Sequence, residues 1–202
     1  ALQHGAEVNP PEVAKKVFIF PVGLGEKTGR MSMDGTNYEG FLSSQGSGPI
    51  LTTSYDCFAH HNGLALGDAL VSNVAFIKLD VEGFEIAVLR GAKKSLFGPK
   101  GKVGALLVEV GPGRWSRAKV EFDTGVAEMI DLSTHFKNSY LIVRTGGSFV
   151  KTCPPTLAGK LADQNPRVME GVKVHKMKAS EVGAILKELK DMEGDCNFWY
   201  TN

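Results

Sequence analysis

Three carboxylates and one amine crowd the segment Lys78-Leu79-Asp80-Val81-Glu82-Gly83-Phe84-Glu85. A carboxylate within hydrogen-bond reach of a hydroxyl can take its proton as the oxygen attacks an electrophile. A pair of carboxylates can instead hold a divalent cation that lowers the hydroxyl's pKa. Nothing in the spacing decides between the two, so no metal is assigned. Alternation along an extended chain puts Lys78 and Asp80 on one face. Glu82 and Glu85 fall where a helix would begin, and the backbone N–H groups and dipole of a helix start favour carboxylates. Glu85 is therefore expected to be a first-turn helix acid, and Glu82 could serve either purpose. Asp80 is different, because an acid that ends a buried strand is not explained by capping.

The elements around this segment place it. Residues 74–80 form an apolar strand pattern, and Ile86, Leu89, Ala92 and Leu96 recur at helical spacing up to Phe97-Gly98-Pro99. A second apolar run occupies residues 103–110 and ends with Glu109 near its C-terminus. Strand, helix and strand in this succession are the βαβ unit of a parallel sheet. A right-handed crossover leaves Asp80 and Glu109 on the same rim, where open α/β sheets bind ligands. Asp80, Glu82 and Glu109 are thus the candidate catalytic residues.

Elsewhere the signals are coarser. Residues 17–22, V-F-I-F-P-V, are short, apolar and bounded by Pro10-Pro11 and Gly23-Leu24-Gly25, the pattern of a buried strand. Residues 30–33 suggest another strand. Residues 34–49 lack periodicity and are rich in glycine, which predicts a surface loop near the mouth of the site. Residues 125–136 and 179–192 predict helices, residues 140–144 and 148–152 a hairpin turning at Gly146-Gly147, and residues 197–200 a closing strand. Residues 1–4 resemble the last turn of a helix capped by Gly5.

The runs Ile77-Lys78-Leu79-Asp80-Val81-Glu82-Gly83-Phe84-Glu85, Val88-Leu89-Arg90-Gly91-Ala92 and Leu107-Val108-Glu109-Val110 closely resemble the core of the FkbM-family methyltransferases. The stretch from Phe20 to Gly29 and the run Leu51-Thr52-Thr53-Ser54-Tyr55-Asp56 are similar to further segments of that family. The resemblance implies an α/β, Rossmann-like class I methyltransferase with a mainly parallel sheet and a C-terminal antiparallel hairpin. It implies S-adenosyl-L-methionine as cofactor and a small-molecule acceptor, a sugar or similar compound, methylated on a hydroxyl oxygen. Val22, Gly23 and Leu24 would line the adenine side, and Asp80 would sit near the transferred methyl. The family's glycine-rich first turn and its ribose-gripping acid have no counterpart here, so the 202 residues resemble a single domain, 1–202, that lacks its first strand-helix units. A non-catalytic, degenerate module of the same family is the alternative reading.

Composition narrows the remaining classes. With 23 Lys plus Arg against 22 Asp plus Glu, the chain has no polybasic footprint, and nucleic acid is not expected as a partner. No run approaches the ~20 apolar residues of a membrane span. The three cysteines, Cys57, Cys153 and Cys196, are widely spaced and unpaired in pattern, which leans towards a reducing compartment such as the cytoplasm. His60-His61 with nearby Asp56 hints at a metal, but adjacent helical residues point ~100° apart, so a solvated role is expected. Arg114 and Trp115 follow the Glu109 strand directly, where they could contact an acceptor or pack.

Overall fold

The computed structural model describes residues 10–14, 17–34, 41–43, 50–66, 73–97, 102–144 and 172–202. Helix α1 (Pro11–Ala14) precedes four short strands: β1 (Gly23–Leu24), β2 (Gly29–Asp34), β3 (Phe41–Ser43) and β4 (Ile50–Thr53). They form a sheet in the order β1-β4-β2-β3, parallel between β1 and β4 and antiparallel elsewhere. Helix α2 (Tyr55–Leu66) follows, its start capped by Ser54, whose hydroxyl accepts the Cys57 N–H at 3.1 Å.

A second sheet carries the expected unit. Strand β5 (Asn73–Leu79), helices α3 (Glu85–Gly91) and α4 (Lys93–Leu96), and strand β6 (Lys102–Val110) occur in that order, and β5 and β6 pair in parallel. The single helix expected after Asp80 is two, broken at Ala92. A 3₁₀ segment, Pro112–Ala118, leads to α5 (Phe122–Thr134), then β7 (Asn138–Arg144), β8 (Val172–Met177), α6 (Ala179–Asp191) and β9 (Cys196–Thr201).

The sheet order is β5-β6-β9-β7-β8. Here the expectation of a mainly parallel sheet is corrected: only β5–β6 is parallel, while β6–β9, β9–β7 and β7–β8 are antiparallel. The cause is the last strand. Phe198 and Tyr200 of β9 are fully buried, and they gain that burial by entering between β6 and β7, against both strand directions. β7 still runs the same way as β6, but the two are not neighbours. The α/β character stands, and the sheets are mixed.

One face of this sheet makes the core. Leu106, Val108, Val110, Leu141, Val143, Phe198 and Tyr200 are at most 1% exposed and share a cluster with Ile86 and Leu89 of α3, Met129 of α5 and Leu186 and Leu189 of α6. The opposite face is more open: Phe76 is 53% and Trp199 37% exposed.

Other expectations fare unevenly. Residues 17–22 are not a strand, and Val17, Phe18, Ile19 and Phe20 are 41–68% exposed. They have no ladder partner among the described residues, since pairing in this region begins at Gly23, so an apolar composition alone did not make a buried strand. Within residues 34–49, Phe41–Ser43 pairs with β2 instead of looping; residues 35–40 and 44–49 lie outside the described residues. The second hairpin arm, residues 148–152, and the helical turn at residues 1–4 also lie outside them. The described antiparallel partner of β7, other than β9, is β8, a strand without an apolar signal strong enough to anticipate.

Candidate active site

Parallel register delivers the acids. Leu79 pairs with Val108, so Asp80 and Glu109 leave adjacent strands side by side. Between them comes the turn to α3. The Phe84 N–H returns to the Val81 carbonyl at 3.3 Å, and the two residues between are left-handed, Glu82 at φ 53° and Gly83 at φ 102°. Only glycine fits the second of these, because a Cβ there would also collide with the Arg114 backbone carbonyl. The turn brings the third carboxylate in: oxygens of Asp80, Glu82 and Glu109 lie within 4.8 Å of one another.

A cation answers these charges. Arg114 ion-pairs with Glu82, lies 3.7 Å from Glu109 and bonds Asp195 at 2.5 Å. Arg117 donates to the Glu82 carbonyl oxygen at 3.0 Å, and Lys78 pairs with Asp80 at 2.7 Å. Burial pushes the Glu109 carboxyl above its ordinary range; Asp80, Asp195 and Glu82 push the same way, and Arg114 opposes them. A carboxyl so shifted holds a proton more readily, which suits a group that must accept one near neutral pH.

The amino-acid order pointed to Arg114 as a rim residue but not to Asp195. Asp195 lies more than a hundred positions from Asp80 in the chain, in the turn before β9, and no spacing rule connects them. Arg114 is an ion-pair hub, while its neighbour Trp115 is 1% exposed and belongs to the core.

Glu85 does begin the first turn of α3 as expected, but it is buried. A first-turn acid should stand in water, but Glu85 is only 2% exposed. Its Oε1 accepts the Gly83 N–H at 2.9 Å, and its Oε2 finds no hydrogen-bond partner among the described residues. Burial raises its pKa, against the backbone N–H groups of Gly83, Glu85 and Val81 and the charge of Arg114.

Val22, Gly23 and Leu24 are half-buried, and Gly25 beyond them is buried with open space where a Cβ would stand. Gly25 donates to the Thr53 carbonyl at 2.9 Å. Helix α3 holds this segment at its far end: a Cβ on Gly91 would collide with the Gly25 carbonyl, and Arg90 bridges Glu128 at 2.6 Å and Glu26 at 3.5 Å. The segment thus meets the C-terminal turn of α3, about 10 Å of helix from the carboxylates at its start. Asp56 has a structural task, its two oxygens accepting the N–H groups of Lys94 and Ser95 at 3.1 and 2.7 Å at the start of α4. His60 and His61 are exposed on α2.

Residues 65–138 match the family model described as the methyltransferase FkbM domain. The match supports an FkbM-family methyltransferase. No curated protein and no solved structure matches the chain. The FkbM match spans β5, α3, β6 and α5, and with them Asp80, Glu82, Glu85, Glu109 and Arg114. Residues 22–24 and Asp195 fall outside it. No described helix is long and apolar enough to cross a membrane.

Proposed function

We propose that this protein transfers a methyl group from S-adenosyl-L-methionine to a hydroxyl oxygen of a small-molecule acceptor, a sugar or similar polyol, within a Rossmann-like fold. The observation that carries the reading is the convergence of Asp80, Glu82 and Glu109 at the ends of two parallel strands, inside the segment that matches the methyltransferase family. The open space at buried Gly25 fits a flat group lying against a backbone, so Val22, Gly23 and Leu24 are assigned to the adenine side. The bound cofactor supplies an electrophilic methyl on a sulfonium.

The chain's own residues have the remaining work. Asp80, exposed at the end of β5, faces an entering hydroxyl and takes its proton. Glu109, raised by burial and by neighbouring acids, stands beside it as a second acceptor for that proton. Glu82, held by Arg114 and Arg117, keeps the turn in place and offers an oxygen to a neighbouring acceptor hydroxyl. Orientation of two reactants contributes on the order of 7–11 kcal/mol to such a displacement, so a rigid site matters as much as the base itself.

Asp80→Asn keeps the volume and removes the charge. Turnover of a radiolabelled methyl group by the full polypeptide should fall by roughly 10²–10⁴-fold, with the melting temperature within a few degrees of the parent. Turnover equal to the parent, or loss that only follows unfolding, would remove Asp80 from the mechanism.

A further inference from the structure

The peptide group between Glu82 and Gly83 is gripped at both poles. Its N–H donates to Glu85 Oε1 at 2.9 Å, and its carbonyl oxygen accepts from Arg117 Nη1 at 3.0 Å. Both flanking residues are left-handed, a conformation that is unfavourable for a non-glycine residue such as Glu82 and persists only where surroundings enforce it. Rotating this peptide would break both bonds at once and release the left-handed turn on which the Glu82 side chain is carried to Arg114.

We infer that Glu85 is a positioning residue: from beneath the turn it pins the Glu82–Gly83 peptide and thereby sets the Glu82 carboxylate on Arg114 and the spacing of the three acids. This rests on the methyl-transfer reading only for what the site does with that spacing. Helix capping does not account for the burial. A surface acid gains modestly from a helix dipole while remaining hydrated. Glu85 instead gives up its water, and only one of its two oxygens is satisfied by a hydrogen bond among the described residues. Desolvating a carboxyl in this way is unfavourable, so the acceptor it presents to Gly83 is the feature that explains its presence. The raised affinity of Glu85 for a proton is compatible with that role, because either the neutral acid or the carboxylate can accept an N–H.

The test compares Glu85→Gln, which keeps a carbonyl acceptor in the same place, with Glu85→Ala, which removes it. One measurement needs no catalysis: a double-mutant cycle on melting stability between Glu82→Gln and Arg114→Gln, run in the parent, Glu85→Gln and Glu85→Ala backgrounds. The Glu82–Arg114 coupling should persist in the Glu85→Gln background, where an amide carbonyl replaces the carboxyl as acceptor, and vanish in Glu85→Ala. The second measurement is methyl transfer. Glu85→Ala should lower kcat by about 10²-fold, the cost of a misplaced reacting geometry, with KM for the acceptor changed far less, and Glu85→Gln should recover most of it. Coupling that survives in Glu85→Ala overturns the inference, as does a Glu85→Gln variant no better than Glu85→Ala in a folded protein. If the parent transfers no methyl group at all, the methyl-transfer reading fails, and the coupling cycle still decides the role of Glu85.

Discussion

Two apolar runs of similar length and composition meet opposite fates. Residues 74–79 enter a sheet beside β6 and deliver Asp80 to the site; residues 17–22 enter no described ladder and leave Phe18 68% exposed. Local propensity favours a strand in both. The difference is the partner: β5 has the run 103–110 in parallel register after one crossover, whereas no described strand lies alongside residues 17–22. A strand is a property of a pair of segments, and its propensity is expressed only when the second is present.

The contrast can be broken at its strong end first. Leu106, fully buried where β6 faces the helices, should cost about 2–5 kcal/mol on truncation to Ala, read as a fall in the denaturant midpoint. Phe18→Ala removes a larger side chain, yet it should stay within roughly 0.5 kcal/mol of the parent. Equal losses at the two positions would mean that residues 17–20 are covered in solution, and the contrast would collapse.

An intermediate effect is expected where the two regions touch. Gly91→Ala puts a methyl into the Gly25 carbonyl, so either α3 or the 22–26 segment must shift; a destabilisation of about 1–3 kcal/mol is expected, as for other overpacked sites. If Val22, Gly23 and Leu24 carry the cofactor, its affinity should fall in the same variant, measured by calorimetric titration. Unchanged stability would show that the contact between Gly91 and Gly25 is loose.

The smallest effect concerns pH. Glu85 has a pKa raised above 4.5, its ordinary value, mainly by burial, so the folded state binds its proton more tightly than the unfolded chain does. Stability should therefore be highest below 4.5 as far as this group is concerned, and should be lost as pH rises from there through the raised value. Glu109 is shifted in the same direction and adds to the slope. Thermal melting from acid to neutral pH should show a shallower decline for Glu85→Gln than for the parent. Identical slopes would mean that Glu85 is hydrated in solution.

Much of this was legible in the amino-acid order. Apolar runs at residues 74–79 and 103–110, with period 3.6 between them, specified a strand-helix-strand unit, and adjacency in a parallel pair followed, so Asp80 and Glu109 could be placed together from the chain order alone. The helices expected over residues 125–136 and 179–192 were legible for the same reason, since a helix writes its buried face into a window short enough to read, and they form as Phe122–Thr134 and Ala179–Asp191. Three matters were decided only by tertiary structure. β9 entered between β6 and β7, where Phe198 and Tyr200 find full burial, a choice among neighbours that no local pattern encodes. Asp195 reached Arg114 because β9 was in that slot. Glu85 turned inward because the left-handed Glu82–Gly83 peptide presented an N–H for its carboxyl to meet. Short-range order sets which segments can be strands and helices, whereas burial and charge pairing among distant segments depend on the assembled packing.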